Sequence, residues 1–256
     1  MTTIPTTNFN APTSHLLLTF NLPIYPRQIK NWRGAFIQMA GQTNDLFHNH
    51  NNQNGNKSST TYHHRYPLIH YRINNGNAAI LAINEGVDAL QQVLSEQEWQ
   101  INWEGKTRQL QVFDMRMNQH YLRMTPTPKT YRLFNYLAFN ADNYQRWQQA
   151  DNYIQRIQLL QEILTGQLLG YATAMNWKIP EHLEVNIQYV QQMKQVKLHG
   201  TPRMAFNLTY TCNLLLPEGI ALGKGISHGY GWQKNIKQSK QKVKTMEQEL
   251  YEINTQ

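Results

Sequence analysis

The 256-residue sequence contains one cysteine, Cys212, so it can form neither an internal disulfide nor a cluster of thiolate metal ligands. It has no apolar run that approaches the roughly 20 residues needed to cross a bilayer. Its first residues, MTTIPTTNFNAPTS, lack the basic start and the apolar stretch of a signal peptide. We therefore expect a cytoplasmic protein that is neither secreted nor inserted in a membrane.

Acidic side chains are also scarce. Asp and Glu number 16 against 24 Lys and Arg, which gives a formal net charge of +8 although only 16% of residues are charged. This imbalance favours a polyanionic partner. Hydrophobic residues make up 40% of the chain and include 14 Tyr, 8 Phe and 6 Trp, enough to fill packed cores. The length exceeds that of a usual single domain of roughly 100–150 residues, and we expect two domains.

Hydrophobic periodicity in the first half alternates between strand and helix. HLLLTFNLP (15–23) predicts a buried strand, and residues 26–42 place apolar side chains at three- and four-residue spacing, as in an amphipathic helix. Residues 66–84 predict a hairpin that turns at Asn-Asn-Gly-Asn, and residues 85–96 predict a second helix. The alternating segments EWQINWEG and RQLQVFDMRMN follow. The order βαββαβ is that of a ferredoxin-like domain.

The segment TPTPK (125–129) interrupts this pattern, because proline cannot donate to a sheet ladder and biases its predecessor toward extended backbone. We place the domain boundary there, giving domains 1–126 and 127–256. Beyond it, a strand, a long helical pattern and two alternating strands predict a second ferredoxin-like unit whose second helix is missing or replaced. The predicted fold class is α+β with two tandem ferredoxin-like domains.

A glycine-rich stretch, GKGISHGYG (223–231), lies near the end of the chain. It does not open a βαβ unit, as a dinucleotide loop would, and its spacing is not that of a P-loop. Alternating glycines instead permit positive φ and bring N–H donors close to an anion or to another backbone. Lys224, Ser227 and His228 add donors, and a basic tail that favours nucleic acid follows: Lys234, Lys237, Lys240, Lys242 and Lys244. The alternative is a tight turn followed by solvated lysines.

Half of the ten histidines are concentrated in one short region: His48, His50, His63, His64 and His70. A pair of imidazoles, as in HNH (48–50), can supply the base that deprotonates a ribose 2′-hydroxyl and the acid that protonates the leaving oxygen. Lys57 could stabilise the phosphorane formed on the way. Two alternatives remain open: zinc held by the first four of these histidines, or polar histidines in an Asn-rich loop (44–64) without a role in catalysis.

These features together resemble one family, the CRISPR repeat-processing endoribonucleases of the RAMP superfamily. GKGISHGYG is similar to the family's glycine-rich loop, and NDLFHNH is similar to its catalytic histidine region. NWRGAFIQ and YPLIHYRINNGNAAILAINEG resemble the branch found in Bacteroidetes-type bacteria. The resemblance covers nearly the whole chain and implies two ferredoxin-like domains of the RRM/RAMP type.

The resemblance implies cleavage within CRISPR repeat RNA, without a metal or cofactor, through attack of a 2′-hydroxyl on its own phosphate. The products would carry a 2′,3′-cyclic phosphate and a 5′-hydroxyl. His48 and His50 would be the acid and base, with Lys57 as an electrostatic aid. The RNA-binding residues would be Lys30, Arg33, Gly223, Lys224, Gly225, Ser227, His228, Gly229 and Gly231. The expected partners are CRISPR repeat RNA and subunits of a CRISPR effector complex, with the protein a monomer or homodimer. The alternative is a noncatalytic RNA-binding subunit.

Overall fold

The structure is a computed structural model that describes residues 12–41, 45–48, 66–95 and 99–236. Its strands are β1 (Thr13–Pro23), β2 (Ile69–Asn74), β3 (Asn77–Ile83), β4 (Gln100–Trp103), β5 (Lys106–Gln109), β6 (Val112–His120), β7 (Arg123–Tyr136), β8 (Val185–Leu198), β9 (Thr201–Leu215) and β10 (Trp232–Ile236). Its α-helices are α1 (Ile29–Ala40), α2 (Asp45–His48), α3 (Glu85–Ser95), α4 (Ala141–Gln149) and α5 (Tyr153–Ala174). Two 3₁₀ turns, Pro26–Gln28 and Ile226–His228, complete the elements of the described ranges.

The first sheet has the strand order β2-β3-β1-β6 with antiparallel neighbours, which is the ferredoxin-like arrangement predicted from the sequence. The β2–β3 hairpin turns at Asn75 and Gly76, whose φ angles of 48° and 79° suit a two-residue turn. Trp32 and Phe36 of α1 are fully buried and pack with Leu90 of α3 against this sheet. Strands β4 and β5 form a separate hairpin.

The second sheet repeats the same order, β10-β7-β9-β8, so the chain contains two tandem sheets of ferredoxin-like topology. Helix α5 packs on this sheet through the fully buried Leu160, Leu164 and Leu168. The helix that would connect β9 to β10 is absent from its place in the described chain. Residues 216–231, which include the glycine-rich stretch, take its position, so the prediction of a missing or replaced helix is confirmed.

The segment TPTPK does not end a strand, because β7 runs through it from Arg123 to Tyr136. The pairing of β7 with β9 instead shifts register between Met124 and Lys129. Proline is tolerated in a strand where the ladder is interrupted, and the register shift provides such a position. The division of the chain after residue 126 stays a prediction.

The two sheets are joined by polar and aromatic contacts. The guanidinium of Arg72 on β2 donates from Nη1 to the carbonyl oxygen of Gly219 at 2.9 Å. The amide of Ala221 donates to the hydroxyl of Tyr66 at 3.2 Å, and the Tyr66 ring packs edge-on against Tyr171 of α5. These contacts fix the residues just before the glycine-rich stretch against the first domain. None of the helices in the described residues has the length and apolarity to span a membrane.

Candidate nucleic-acid interface

The glycine-rich segment folds as a compact loop around the 3₁₀ turn Ile226–His228. Gly225 precedes this turn and Gly229 follows it, and both have left-handed backbone, with φ angles of 70° and 80°. A side chain at Gly223 (φ 91°) would place its Cβ 2.6 Å from the carbonyl oxygen of Leu137. A Cβ at Gly231 would collide with the carbonyl of Leu222. Glycine is therefore required by both backbone conformation and close approach.

The backbone donors of the loop divide into two groups. The amides of Lys224, His228, Gly229, Tyr230 and Gly231 donate to carbonyl oxygens within the protein, for example Lys224 to Leu137 at 2.9 Å. In contrast, the amides of Gly225, Ile226 and Ser227 have no backbone acceptor within the described ranges. The loop is thus a tight turn, as one alternative held, and the N–H groups of three consecutive residues are not used by its own backbone.

Four cationic or titratable side chains gather beside the loop. His228 lies edge-on to His199, with ring centroids 4.8 Å apart. Burial, followed by the charges of the neighbouring Arg33, His199 and Lys30, lowers the pKa of His228 to about 4. His228 is therefore neutral at pH 7. Lys30 is exposed, and Arg33 lies with its guanidinium carbon 5.9 Å from the Tyr71 ring centroid.

Helix α1 therefore brings Lys30 and Arg33 to the same place as His228, although they come from opposite ends of the chain. We call these three residues with His199 the cationic cluster. Sequence reasoning missed His199, which occupies the two-residue turn between β8 and β9 with a φ of 50°, followed by Gly200 at 77°. The His-Gly pair between two alternating strands was the signal for that turn.

The other predicted RNA-binding residues are spread along the loop. Ser227 is half-buried within the 3₁₀ turn, and Lys224 is exposed. Lys224 lines a separate groove of about 310 Å³ together with Tyr144, Gln195 and Arg203. Lys234 is exposed on β10. The remaining tail lysines, Lys237, Lys240, Lys242 and Lys244, lie outside the described residues.

The predicted catalytic residues fall at or beyond the edge of the described chain. His48 is the last residue of α2, and its side chain is outside the described part. His50, Lys57, His63 and His64 also lie outside it.

Helix α2 itself packs on α1, the helix that carries Lys30 and Arg33 of the cationic cluster. The rings of Phe47 and Phe36 are 5.9 Å apart, and Phe36 lies about 10 Å along α1 from Ile29 at a rise of 1.5 Å per residue. Ile29 in turn packs on Gly229, because a Cβ there would come within 2.6 Å of its Cδ1. The backbone that leads to His48 and the glycine loop thus contact two points of one rigid helix.

His70, the last member of the histidine cluster, is a core residue. It is 2% exposed, and burial lowers its pKa to about 3. The neutral ring donates from Nε2 to the carbonyl oxygen of Pro67 at 2.9 Å. Its burial keeps the ring from contact with solvent and with a bound RNA, so His70 is a structural residue. Across the described ranges, no group of three or more His, Cys, Asp or Glu side chains could hold a metal ion.

Comparison with models of known protein families identifies the family of this chain. The model of the Cas6b N-terminal domain matches residues 12–121, and the model of the Cas6b C-terminal domain matches residues 123–236. The chain belongs to the Cas6b family. The resemblance inferred from GKGISHGYG and NDLFHNH is thereby confirmed at the level of the family.

Solved structures share the Cas6b fold at low sequence identity. A crystal structure of Cas6b aligns with a TM-score of 0.74 and 19% identity, and a Cas6b described as a CRISPR RNA processing endoribonuclease aligns with 0.66 and 18%. Csf5, a CRISPR-Cas type IV Cas6 crRNA endonuclease, aligns with 0.53 and 14%. Each alignment covers 88% of this chain and 100% of the other. The search of curated protein sequences found no match.

Proposed function

We propose that this Cas6b protein is a metal-independent endoribonuclease that cuts within CRISPR repeat RNA. The observation that carries the proposal is the packing of two features on α1. One is the glycine loop with its cationic cluster, and the other is α2, which ends at His48. An RNA strand whose phosphates lie on the cluster would have its next nucleotides near the end of α2, since consecutive phosphates are separated by several ångströms.

His48 and His50 carry the chemistry in this proposal. One imidazole removes the proton from a ribose 2′-hydroxyl, and the oxygen attacks the adjacent phosphorus. The bond from phosphorus to the 5′-oxygen of the next nucleotide then breaks, and the second imidazolium protonates that oxygen. The products are a 2′,3′-cyclic phosphate and a 5′-hydroxyl, and Lys57 stabilises the charge on the phosphorane. No water, metal or cofactor is consumed.

The glycine loop and α1 hold the strand. The free amides of Gly225, Ile226 and Ser227 and the side chains of Lys30 and Arg33 donate to phosphate oxygens, as backbone amides and cations do in many nucleic-acid complexes. Gly223, Gly229 and Gly231 set the backbone that makes these donors available, while Lys224 and His228 extend the same surface.

The setting of this activity is the cytoplasm, consistent with the single, buried and unpaired Cys212. The partners are CRISPR repeat RNA and subunits of a CRISPR effector complex, and the protein acts as a monomer or homodimer with domains 1–126 and 127–256.

The experiment is a cleavage assay in EDTA with the repeat RNA of the protein's own genome and a control RNA of the same composition in permuted order. We expect the repeat to be cut at one position in EDTA and the permuted RNA to stay intact. Binding without cleavage would identify a noncatalytic RNA-binding subunit. Cleavage that EDTA abolishes would identify a metal-dependent enzyme instead, including one with zinc on the histidines.

Replacing Lys224 with glutamate should weaken RNA binding more than it slows the chemical step. The exposed ammonium contributes phosphate contacts, so its loss and the added negative charge raise Kd by roughly tenfold while saturating protein restores the single-turnover rate. Filter binding and single-turnover kinetics measure the two quantities. Lys178→Glu, at an exposed lysine after α5, is the matched control and should leave Kd near that of the wild type. An unchanged Kd for Lys224→Glu would show that the loop is only a tight turn and does not bind RNA through Lys224.

A further inference from the structure

A groove of about 580 Å³ opens beside the glycine loop, and it is lined by Gly229 and Ile29, the chain neighbours of His228 and Lys30 in the cationic cluster. Sites of 300–1,000 Å³ with mostly apolar walls are typical of pockets for small organic groups. We call it the Tyr25 groove. Its walls come from the end of β1, the start of α1, β2 and the beginning of β10, and they include Tyr25, Ile29, Arg72, Asn135, Gly229 and Trp232.

Aromatic rings stand at two sides of the Tyr25 groove. The side chain of Tyr25 is 68% exposed, and the guanidinium carbon of Arg27 lies 5.8 Å from its ring centroid. Trp232 is half-buried and stacks on Phe134, with centroids 4.2 Å apart and planes 15° apart. Trp232 is thus fixed by packing, whereas Tyr25 offers an open ring. Unpaired bases of single-stranded nucleic acids stack on such rings.

A buried donor also lacks a partner at this groove. Arg72 lines it and uses Nη1 to bind the carbonyl oxygen of Gly219, but its Nε is buried and has no hydrogen-bond acceptor among the described residues. A buried unpaired donor is destabilising, so an occupant that brings an acceptor is favoured. Nucleobase edges carry carbonyl and ring-nitrogen acceptors in the plane of a flat ring, and arginine is a frequent partner of those acceptors.

We infer that the Tyr25 groove binds one unpaired nucleobase of the RNA whose phosphates lie on the cationic cluster. This inference rests on the proposed function and adds a determinant of which RNA is bound. The occupant follows from three properties that occur together: an open aromatic ring, an unpaired buried donor, and adjacent cations that complement phosphate. An apolar peptide would satisfy the first two properties, through its side chains and its carbonyl oxygens, but it carries no anion for the adjacent cations.

The test combines protein and RNA variants in a double-mutant cycle. Repeat RNAs that carry an abasic nucleotide at each unpaired position in turn are titrated with wild-type protein, Tyr25→Ala and the control Tyr153→Ala, whose ring is 60% exposed at the start of α5. We expect Tyr25→Ala to weaken binding of intact RNA on the order of tenfold. At one position, the abasic nucleotide should raise the Kd of the wild type by a similar factor and leave the Kd of Tyr25→Ala almost unchanged.

A second readout reports stacking directly. At the same position, 2-aminopurine should be quenched on binding wild-type protein and Tyr153→Ala but not on binding Tyr25→Ala. The inference is overturned if the affinity losses caused by Tyr25→Ala and by the abasic nucleotide add at every position, or if Tyr25→Ala and Tyr153→Ala lose affinity equally. In either case, a wild type that still cuts the repeat keeps the proposed function. If the wild type neither binds nor cuts the repeat, the proposed function fails, and the inference fails with it.

Discussion

The double variant His48→Ala, His50→Ala is expected to bind repeat RNA with nearly wild-type affinity and to cut it at least about 10³-fold more slowly. Removing one general acid or base typically costs 10²–10⁴-fold, and removal of both leaves no group to accept or return the proton. Affinity should persist because the proposed phosphate donors lie on α1 and on the glycine loop. Single-turnover rates at saturating protein, paired with Kd, measure the effect.

The matched control for this variant is His182→Ala, which removes an exposed histidine from the segment between α5 and β8. It should cut at the wild-type rate. The single variants of His48 and His50 show whether the two imidazoles act together, since either loss alone then gives most of the defect. A double variant that cuts as fast as the wild type would show that neither histidine takes part in the reaction.

The second large effect is a loss of stability below neutral pH. His15 is 5% exposed and His70 is 2% exposed, and burial lowers their pKa values to about 4 and about 3. In the unfolded chain both imidazoles take up protons below about pH 6.5, whereas in the folded protein they stay neutral. The unfolded state therefore binds more protons between pH 6.5 and 4, so stability is full above pH 6.5 and falls as the pH decreases.

Each of these histidines lowers the free energy of unfolding by about 1.4 kcal/mol per pH unit in that window. Between pH 7 and pH 5 the two histidines together should therefore lower the free energy of unfolding in urea by about 4 kcal/mol. His15→Gln can keep a hydrogen bond to the Thr13 hydroxyl, which lies 3.2 Å from His15 Nε2, without titrating, so its loss between the two pH values should be smaller than that of the wild type by about 2 kcal/mol. Equal unfolding free energies at pH 7 and pH 5 would show that the two rings are not kept neutral by burial.

The parts of the fold that the sequence predicts are those with local signals. The spacing of Trp32 and Phe36 predicts α1, and Asn75-Gly76 predicts the β2–β3 turn, because helix faces and tight turns depend on a few neighbouring residues. Strand β7 was missed across TPTPK, since the register shift that tolerates Pro126 and Pro128 is set by its partner β9.

The candidate interface depends on contacts between distant segments and was only partly predictable. GKGISHGYG is visible in the sequence, but its packing on Ile29 arises only when the two sheets meet. The pairing of His228 with His199 arises only when the loop meets the turn between β8 and β9. The Tyr25 groove has no sequence pattern, because its aromatic and arginine walls come from the segment between β1 and α1, from the second strand and from the last strand. The identity of the recognised RNA depends on such combinations, which side-chain spacing along one segment does not encode.

The central claim is that the imidazoles of His48 and His50 activate a ribose hydroxyl of a strand held by the glycine loop. The most direct measurement replaces that hydroxyl with hydrogen at the cut site alone and follows binding and cleavage in EDTA. The account predicts unchanged affinity, no cleavage of the 2′-deoxy RNA, and a 2′,3′-cyclic phosphate on the product of the unmodified RNA. Cleavage of the 2′-deoxy RNA at a comparable rate, with 3′-hydroxyl and 5′-phosphate ends, would contradict it.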